Sequence, residues 1–155
     1  MQITSSPKLP SSPLTAPVNE TGKEALGAER SIRIMMAEDN PINQRVGKLI
    51  LQRAGYVIDL VGDGNEALEA HRANPYDLIL MDCQMPTMDG FEASRQIRSL
   101  KGQPQPVIIA VTANALVGER ERCLSAGMDD YLSKPFQAEQ LVAVVKKWSA
   151  ERRRG

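Results

Sequence analysis

Five polar side chains of the sequence are spaced so that they could carry out phosphoryl chemistry. Each ends or follows a short apolar run, and they are Glu38, Asp39, Asp82, Thr112 and Lys134. Short continuous apolar runs are typical of strands that are buried on both faces of a parallel sheet. Because ligands of such a sheet bind beyond the carboxyl ends of its strands, we expect these side chains to meet at one edge.

The three carboxylates of this group predict a bound metal ion. Clustered carboxylates repel one another, and oxygen ligands without His or Cys favour a hard cation such as Mg²⁺, with Mn²⁺ as the alternative. The metal would screen an incoming phosphoryl group. Asp82, alone at the end of the predicted central strand, is the candidate nucleophile. Lys134 could pair with one phosphoryl oxygen, and Thr112 could donate a hydrogen bond to another.

Alternating strands and helices are predicted to position these residues. The predicted strands are Ile34–Ala37, Tyr56–Val61, Tyr76–Met81, Pro106–Val111 and Tyr131–Leu132. Helices are predicted from the Asn40-Pro41 cap to Gly55, over Gly64–Ala73, through Phe91–Leu100, over Leu116–Ala126 and over Phe136–Trp148. Such strand–helix pairs imply right-handed crossovers and a three-layer α/β fold. We therefore predict a (βα)5, flavodoxin-like doubly wound sheet of five parallel strands with helices on both faces.

The composition of the chain changes abruptly near residue 31. Residues 1–30 carry Pro among Ser, Thr and small residues without hydrophobic periodicity, and such a segment cannot bury enough apolar surface to fold. We therefore predict a flexible Pro/Ser-rich linker or tail over residues 1–30, one folded domain over 31–149 and a basic C-terminal end over 150–155. The Pro-rich segment would suit a tether excised from a longer protein.

The overall composition argues against several functional classes. The 155 residues contain 19 basic and 19 acidic side chains, a balance that argues against binding to nucleic acid or to an anionic membrane surface. No apolar run approaches the roughly 18 residues that span a bilayer, and the N-terminus lacks the apolar core of a secretory signal. Two cysteines make no disulfide framework, and one histidine makes no two-His metal site. We expect a cytoplasmic protein with reduced thiols, an exposed His71 and a packed Cys83.

Four motifs together give the sequence a specific resemblance. They are AEDN at 37–40, LMDCQMPTMDG at 80–90, TAN at 112–114 and KPF at 134–136. Over residues 31–148 the chain resembles the receiver domains of two-component response regulators. The resemblance implies that Asp82 accepts the phosphoryl group. It also implies that Asp39 and Asp82 bind Mg²⁺ directly, that Glu38 acts through water, and that the main-chain carbonyl of Gln84 is a further ligand.

The same resemblance implies a conformational switch and a class of partner. Thr112 and Tyr131 resemble the switch pair of the family, and Lys134, whose bond to Pro135 is often cis there, resembles its phosphoryl-binding lysine. The stretches EDNPINQRV and MDCQMPTMDG are most similar to receivers fused to hybrid histidine kinases. The implied partners are a histidine kinase or a histidine phosphotransfer domain, and a parent kinase could carry a membrane anchor. The isolated domain would be a phosphoacceptor with at most self-phosphorylation and autodephosphorylation activity.

Other functions can be weighed against this resemblance. Residues 62–67 match the G-x-G-x-x-A dinucleotide pattern, but a nucleotide site would leave the strand-end residues unexplained. An aspartyl-phosphate phosphatase is one alternative, although phosphatases that resemble haloacid dehalogenases use an acid two positions after the nucleophile, where this chain has Gln84. The second alternative function is a receiver-like interaction module that is never phosphorylated. The retention of every site residue argues against this alternative.

Overall fold

Strands and helices alternate along the chain in the order that its hydrophobic pattern predicts. The computed structural model describes residues 32–114 and 117–154, so the predicted linker and Leu116 lie outside the described residues. The strands are β1 (Ile34–Ala37), β2 (Ile58–Val61), β3 (Leu78–Asp82), β4 (Val107–Thr112) and β5 (Asp130–Ser133). The helices are α1 (Pro41–Arg53), α2 (Gly64–Ala73), α3 (Gly90–Ser99), α4 (Glu119–Ser125) and α5 (Ala138–Arg154).

The five strands form one parallel sheet in the order β2-β1-β3-β4-β5. β1 pairs with both β2 and β3, so that Ile34 lies between Ile58 and Leu78. β3 also pairs with β4, which places Asp82 beside Val111 at the end of the central strand. Five parallel strands with crossover helices confirm the predicted fold class.

Successive residues of each strand face opposite sides of this sheet, because side chains alternate along a strand. On one side, strand residues such as Met35 and Ile79 pack with residues of α2, α3 and α4. On the other side, Ile34 and Leu80 pack with residues of α1 and α5. Both faces of the sheet are therefore covered, and burial of each large aliphatic side chain contributes about 1.5–3 kcal/mol.

The helices start where the sequence supplies an acceptor for their free backbone N–H groups. The Asn40 side chain accepts hydrogen bonds from the N–H groups of Ile42 and Asn43, and Pro41 takes the first helical position of α1. Asp63 and Asp89 cap α2 and α3 in the same way. These caps hold the helix starts beside the strand ends that carry the site. None of the described helices has the length and apolar character needed to cross a membrane.

β2 and α5 begin later than the hydrophobic pattern predicts, because the residues before them form hydrogen bonds with the end or the start of a helix. β2 begins at Ile58 rather than Tyr56, since the N–H of Tyr56 donates to the Leu51 carbonyl at 2.9 Å and completes the end of α1. α5 begins after Gln137, whose N–H donates to the side chain of Gln140 at 2.8 Å. Capping bonds, rather than hydrophobicity, fix these boundaries.

His71 was expected to be exposed, and this prediction is wrong. The residue is 1% exposed, and its Nδ1 accepts a hydrogen bond from the N–H of Tyr76 at 3.0 Å. Burial lowers the pKa of His71 and the charge of Arg98 lowers it further, whereas a hydrogen bond to the Pro104 carbonyl opposes both effects. The ring is therefore a neutral link between α2 and the chain segments that precede β3 and β4. Cys83, by contrast, is buried as predicted.

Candidate functional site

The carboxyl ends of the strands bring the predicted site residues to one edge of the sheet. Backbone hydrogen bonds extend the sheet beyond the strand ends, from Glu38 to Val61 at 3.0 Å and from Lys134 to Thr112 at 2.7 Å. Asp82 is the last residue of β3 and Thr112 the last of β4. The structure therefore places Glu38, Asp82, Thr112 and Lys134 at the same edge of the sheet.

Lys134 lies at the centre of this edge. Its Nζ donates to Glu38 Oε1 at 3.0 Å and to Asp82 Oδ2 at 3.1 Å. The side chains of Glu38 and Asp82 are only 5% and 6% exposed. Burial alone would lower the pKa of Lys134, but its hydrogen bonds to Glu38 and Asp82 outweigh burial and raise that pKa. The ammonium group is thus charged and shared by two buried carboxylates.

Asp39 completes a group of three carboxylates. One oxygen each of Glu38, Asp39 and Asp82 lie within 4.8 Å of one another, with Asp39 on the exposed side. Among the described residues, three carboxylates face one ammonium, that of Lys134, so the group has an excess of negative charge. This all-oxygen set fits a hard divalent cation, which such carboxylates bind while the metal retains water.

The backbone around the carboxylates orients them. The N–H of Asn40 donates to Glu38 Oε2 at 3.1 Å, and the N–H of Gln84 donates to Asp82 Oδ1 at 3.1 Å. The loop after β3 returns to the strand through Gly90, whose N–H donates to the Cys83 carbonyl. A Cβ atom on Gly90 would lie 2.2 Å from the main-chain oxygen of Asp82. Glycine is therefore needed for this close approach, which fixes the position of Asp82.

Thr112 is buried, and its hydroxyl is fully engaged. The N–H of Asn114 donates to Thr112 Oγ1 at 3.0 Å, and the hydroxyl donates to Glu119 Oε2 at 3.0 Å. Glu119, in the first turn of α4, is 7% exposed. The sequence motifs did not identify Glu119, because an acidic residue in a first helical turn usually indicates only a favourable contact with the helix dipole.

The other two residues from the sequence prediction lie at the edge of this group. Tyr131 pairs with Ala110 across β4 and β5, and it is 36% exposed. Gln84 is exposed, with its N–H rather than its side chain directed at Asp82. The bond between Lys134 and Pro135 is cis, as the resemblance implies.

An apolar surface adjoins the carboxylates on the α1 side. Ile42, Val46 and Leu49 recur at helical spacing and are 70%, 47% and 47% exposed. Val46 also lines a cavity of about 340 Å³ that reaches Glu38 and Lys134. We call Ile42, Val46 and Leu49 the α1 face. Exposed apolar residues grouped beside a polar site are typical of contact surfaces for other proteins.

Comparison with known proteins gives consistent similarities. The model of the response regulator receiver domain family matches residues 34–146. The chain is 40% identical over 135 residues to hybrid signal transduction histidine kinase B of Dictyostelium discoideum, covering 79% of the chain and 7% of the kinase. It is 41% identical over 125 residues to the histidine-protein kinase BarA of Escherichia coli K12, covering 81% of the chain and 13% of the kinase. The chain thus spans a small part of these relatives.

Two solved structures are also similar. The receiver domain of the sensor histidine kinase PA1611 from Pseudomonas aeruginosa PAO1 has a TM-score of 0.70 and 45% identity, and the match covers 77% of the chain and 98% of that domain. That structure has a magnesium ion in its active-site cleft. The receiver domain of Ssk1 from Saccharomyces cerevisiae, in complex with the histidine phosphotransfer protein Ypd1, has a TM-score of 0.74 and 28% identity, over 81% of the chain and 93% of that chain.

Proposed function

The chain belongs to the response regulator receiver domain family, and from this we propose that its Asp82 accepts a phosphoryl group from a phosphohistidine in a phosphorelay. The observation that carries the proposal is the half-buried ammonium of Lys134, which lies between the buried carboxylates of Glu38 and Asp82. A carboxylate nucleophile beside a fixed cation is suited to receive a group that brings further negative charge.

Transfer forms a bond between an Asp82 carboxylate oxygen and phosphorus while the bond between phosphorus and the histidine nitrogen breaks. The imidazole leaves and takes up a proton from solvent. Lys134 already contacts Asp82 Oδ2, and the Gln84 N–H contacts Oδ1, so the carboxylate is oriented before the phosphoryl group arrives. The ammonium then pairs with a phosphoryl oxygen.

We propose Mg²⁺ as the metal of this site, with Mn²⁺ as an alternative of similar ligand preference. Asp39 and Asp82 would bind it directly, Glu38 through water and Gln84 through its main-chain carbonyl. The similar PA1611 receiver domain, with its magnesium ion, supports this choice. When bound, the metal supplies positive charge that neutralises the phosphoryl oxygens.

Thr112 and Tyr131 are proposed to convert phosphorylation into a change of shape. The Thr112 hydroxyl donates to a phosphoryl oxygen, and its movement biases a two-state arrangement of α4 and β5 in which Tyr131 turns inward. The partial exposure of Tyr131 is consistent with a side chain that has room to move.

The proposed partners are a histidine kinase and a histidine phosphotransfer domain, as part of a hybrid kinase. Similarity to two histidine kinases and to a receiver solved with the phosphotransfer protein Ypd1 supports this assignment. The α1 face adjoins the carboxylates, so we propose it as the contact surface for the phosphotransfer domain. We further propose a cytoplasmic receiver over residues 31–149, preceded by a linker over 1–30 and followed by a basic end over 150–155.

Phosphatase-type turnover is disfavoured by the loop after β3. The residue two positions after Asp82 is Gln84, whose amide cannot donate a proton as a general acid. Its contact with Asp82 is made through the backbone N–H. The geometry therefore favours a phosphoacceptor over an enzyme that releases phosphate rapidly.

Labelling with acetyl phosphate and Mg²⁺ tests the assignment of Asp82. Wild type is expected to gain one hydroxylamine-labile phosphoryl group by intact mass, and Asp82→Asn is expected to gain none. Asp89→Asn is the matched control, because Asp89 only caps α3 and Asn also caps helices. Label on Asp82→Asn at the wild-type level, or no label on wild type, would show that Asp82 is not the acceptor.

A further inference from the structure

Glu119 is a buried carboxylate to which neither the motifs nor the proposed chemistry gives a role. Its Oε2 accepts the hydrogen bond of Thr112 at 3.0 Å, and the two residues are 7% and 1% exposed. Within residues 32–114 and 117–151, no Lys, Arg or His side chain forms an ion pair with Glu119. A buried charge needs compensation, and the Thr112 hydroxyl provides a hydrogen bond for it.

Two buried cysteines beside Glu119 add no opposite charge. Ligand atoms of Cys83, Cys123 and Glu119 lie within 4.8 Å of one another, and all three residues are buried. Both thiols are buried, and a thiol brings no positive charge to Glu119. The hydrogen bond from Thr112 to this carboxylate is buried, and a bond from a hydroxyl to a carboxylate is stronger than a bond between neutral groups.

The hydroxyl of Thr112 has one proton to donate. It already accepts from the N–H of Asn114 at 3.0 Å, and the Asn114 carbonyl lies farther from it, at 3.4 Å, than Glu119 Oε2. The proton therefore points to Glu119. A hydrogen bond from Thr112 to a phosphoryl oxygen and the hydrogen bond to Glu119 exclude each other.

We propose that Glu119 is a positioning residue that holds the Thr112 hydroxyl in the unphosphorylated state and competes with the phosphoryl group for it. This role rests on the proposed phosphorylation of Asp82. The carboxylate in the first turn of α4 thereby opposes the active state, and the phosphoryl group must break this bond before Thr112 can move. Loss of the bond also frees the start of α4, which connects the switch residue to a helix that faces solvent.

Binding of beryllofluoride with Mg²⁺, a mimic of the phosphoryl group, tests this competition. Glu119→Gln keeps the size of the side chain but weakens the acceptor, and it is expected to tighten beryllofluoride binding by about three- to tenfold. Glu121→Gln is the matched control, because Glu121 is an exposed carboxylate on the same helix; it is expected to bind like wild type. Affinity for Mg²⁺ alone, measured by amide shifts at Asp82, is expected to be unchanged in both variants.

Thr112→Val distinguishes two explanations of tighter binding. One is competition between Glu119 and beryllofluoride for the Thr112 hydroxyl, and the other is electrostatic repulsion between Glu119 and the bound anion. In the Thr112→Val background, Glu119→Gln is expected to have no effect, because there is no hydroxyl to release. Glu119→Asp, which keeps the charge but retracts it from Thr112, is expected to tighten binding as Glu119→Gln does, and it serves if the amide variant does not fold. Equal tightening with and without the Thr112 hydroxyl, or no tightening in either Glu119 variant, would overturn the competition. Wild type that binds no beryllofluoride would instead overturn the proposed function, and the role of Glu119 with it.

Discussion

Lys134 supplies a positive charge beside Asp82, the proposed acceptor carboxylate. The ammonium of Lys134 compensates Asp82 and Glu38 in a site where both are almost fully buried. Since its pKa is raised, Lys134 keeps its charge at neutral pH. The ammonium therefore pairs with the Asp82 carboxylate at this almost fully buried position, and a cation is already in place for the phosphoryl group.

His71 provides a test of stability against pH at the scale of one residue. Its pKa is lowered in the folded protein, so below about pH 6.5 the unfolded chain binds the proton more readily than the folded protein does. The free energy of unfolding should therefore fall as the pH falls through that range. Urea unfolding from about pH 7.5 to about pH 5.5 is expected to show a smaller loss for His71→Asn than for wild type.

His71→Asn is chosen because the Asn side chain can still accept the hydrogen bond of Tyr76. At neutral pH it is expected to be less stable than wild type by about 1–3 kcal/mol, because the bond to the Pro104 carbonyl is lost. Carboxylates contribute to acid sensitivity in both proteins, so only the difference between the two pH profiles reports on His71. If the free energy of unfolding depends on pH in the same way in His71→Asn and in wild type, the lowered pKa of His71 does not contribute to acid sensitivity.

The sequence indicated Glu38, Asp39, Asp82 and Lys134 as candidate site residues because each ends or follows a short apolar run. His71 and Glu119 carry no such signal. Their polar neighbours in the sequence suggest exposed helix surfaces. In the folded chain both are buried, where His71 accepts a hydrogen bond from Tyr76 and Glu119 accepts one from Thr112. Contacts between segments that are distant in the sequence therefore determine the burial of His71 and Glu119, and a local sequence pattern does not indicate such contacts.

At the scale of elements, α1 combines a tightly fixed start with an unpacked side. Asn40 caps the helix and also donates its N–H to Glu38, so the first turn is held to the acidic site. Leu51 of the same helix is fully buried, whereas the α1 face points away from the sheet. A partner that binds the α1 face is thus positioned close to Asp82 without needing to enter the protein.

Ile42→Arg tests the α1 face as the contact surface for a phosphotransfer domain. A charged side chain in the centre of an apolar contact commonly costs more than about 1.4 kcal/mol, or tenfold. Phosphotransfer from phosphorylated Ypd1 or a similar histidine phosphotransfer protein is expected to slow by about tenfold, with labelling by acetyl phosphate unchanged. Val57→Arg is the control, because Val57 is also apolar and is 79% exposed before β2. Equal slowing in both variants would show that α1 is not the specific surface.

Element order and sheet direction could be predicted because burial on both faces produces the continuous apolar runs of β1, β3 and β4. The boundaries could not be predicted as well. Tyr56 is apolar enough to continue a strand, but its N–H closes α1. The later start of α5 likewise depends on a bond between Gln137 and Gln140. Hydrogen bonds at helix ends, which hydrophobicity does not report, set these limits.

At the scale of the whole molecule, the net charge is zero, but the edge of the sheet at the carboxyl ends of the strands has an excess of negative charge. The chain has equal numbers of acidic and basic residues, yet three carboxylates face one ammonium at the carboxyl ends of the strands. This local excess opposes folding, because like charges held close together repel one another. A divalent cation removes the repulsion, so metal binding and global stability should be coupled.

Thermal unfolding with and without Mg²⁺ measures that coupling. A ligand that binds only the folded state at about one hundred times its Kd stabilises it by about 2.7 kcal/mol, which raises the Tm of a small domain by several degrees. Wild type is expected to show this rise and to lose it on addition of a chelator. Asp39→Asn is expected to show little rise in Tm, and without Mg²⁺ it should be at least as stable as wild type because one repelling carboxylate is gone.

Asp63→Asn is the control, because it removes one charge but retains a cap for α2, so its Tm should respond to Mg²⁺ as that of wild type does. An equal rise in Asp39→Asn would mean that Mg²⁺ stabilises the protein at some other place than the strand-end carboxylates.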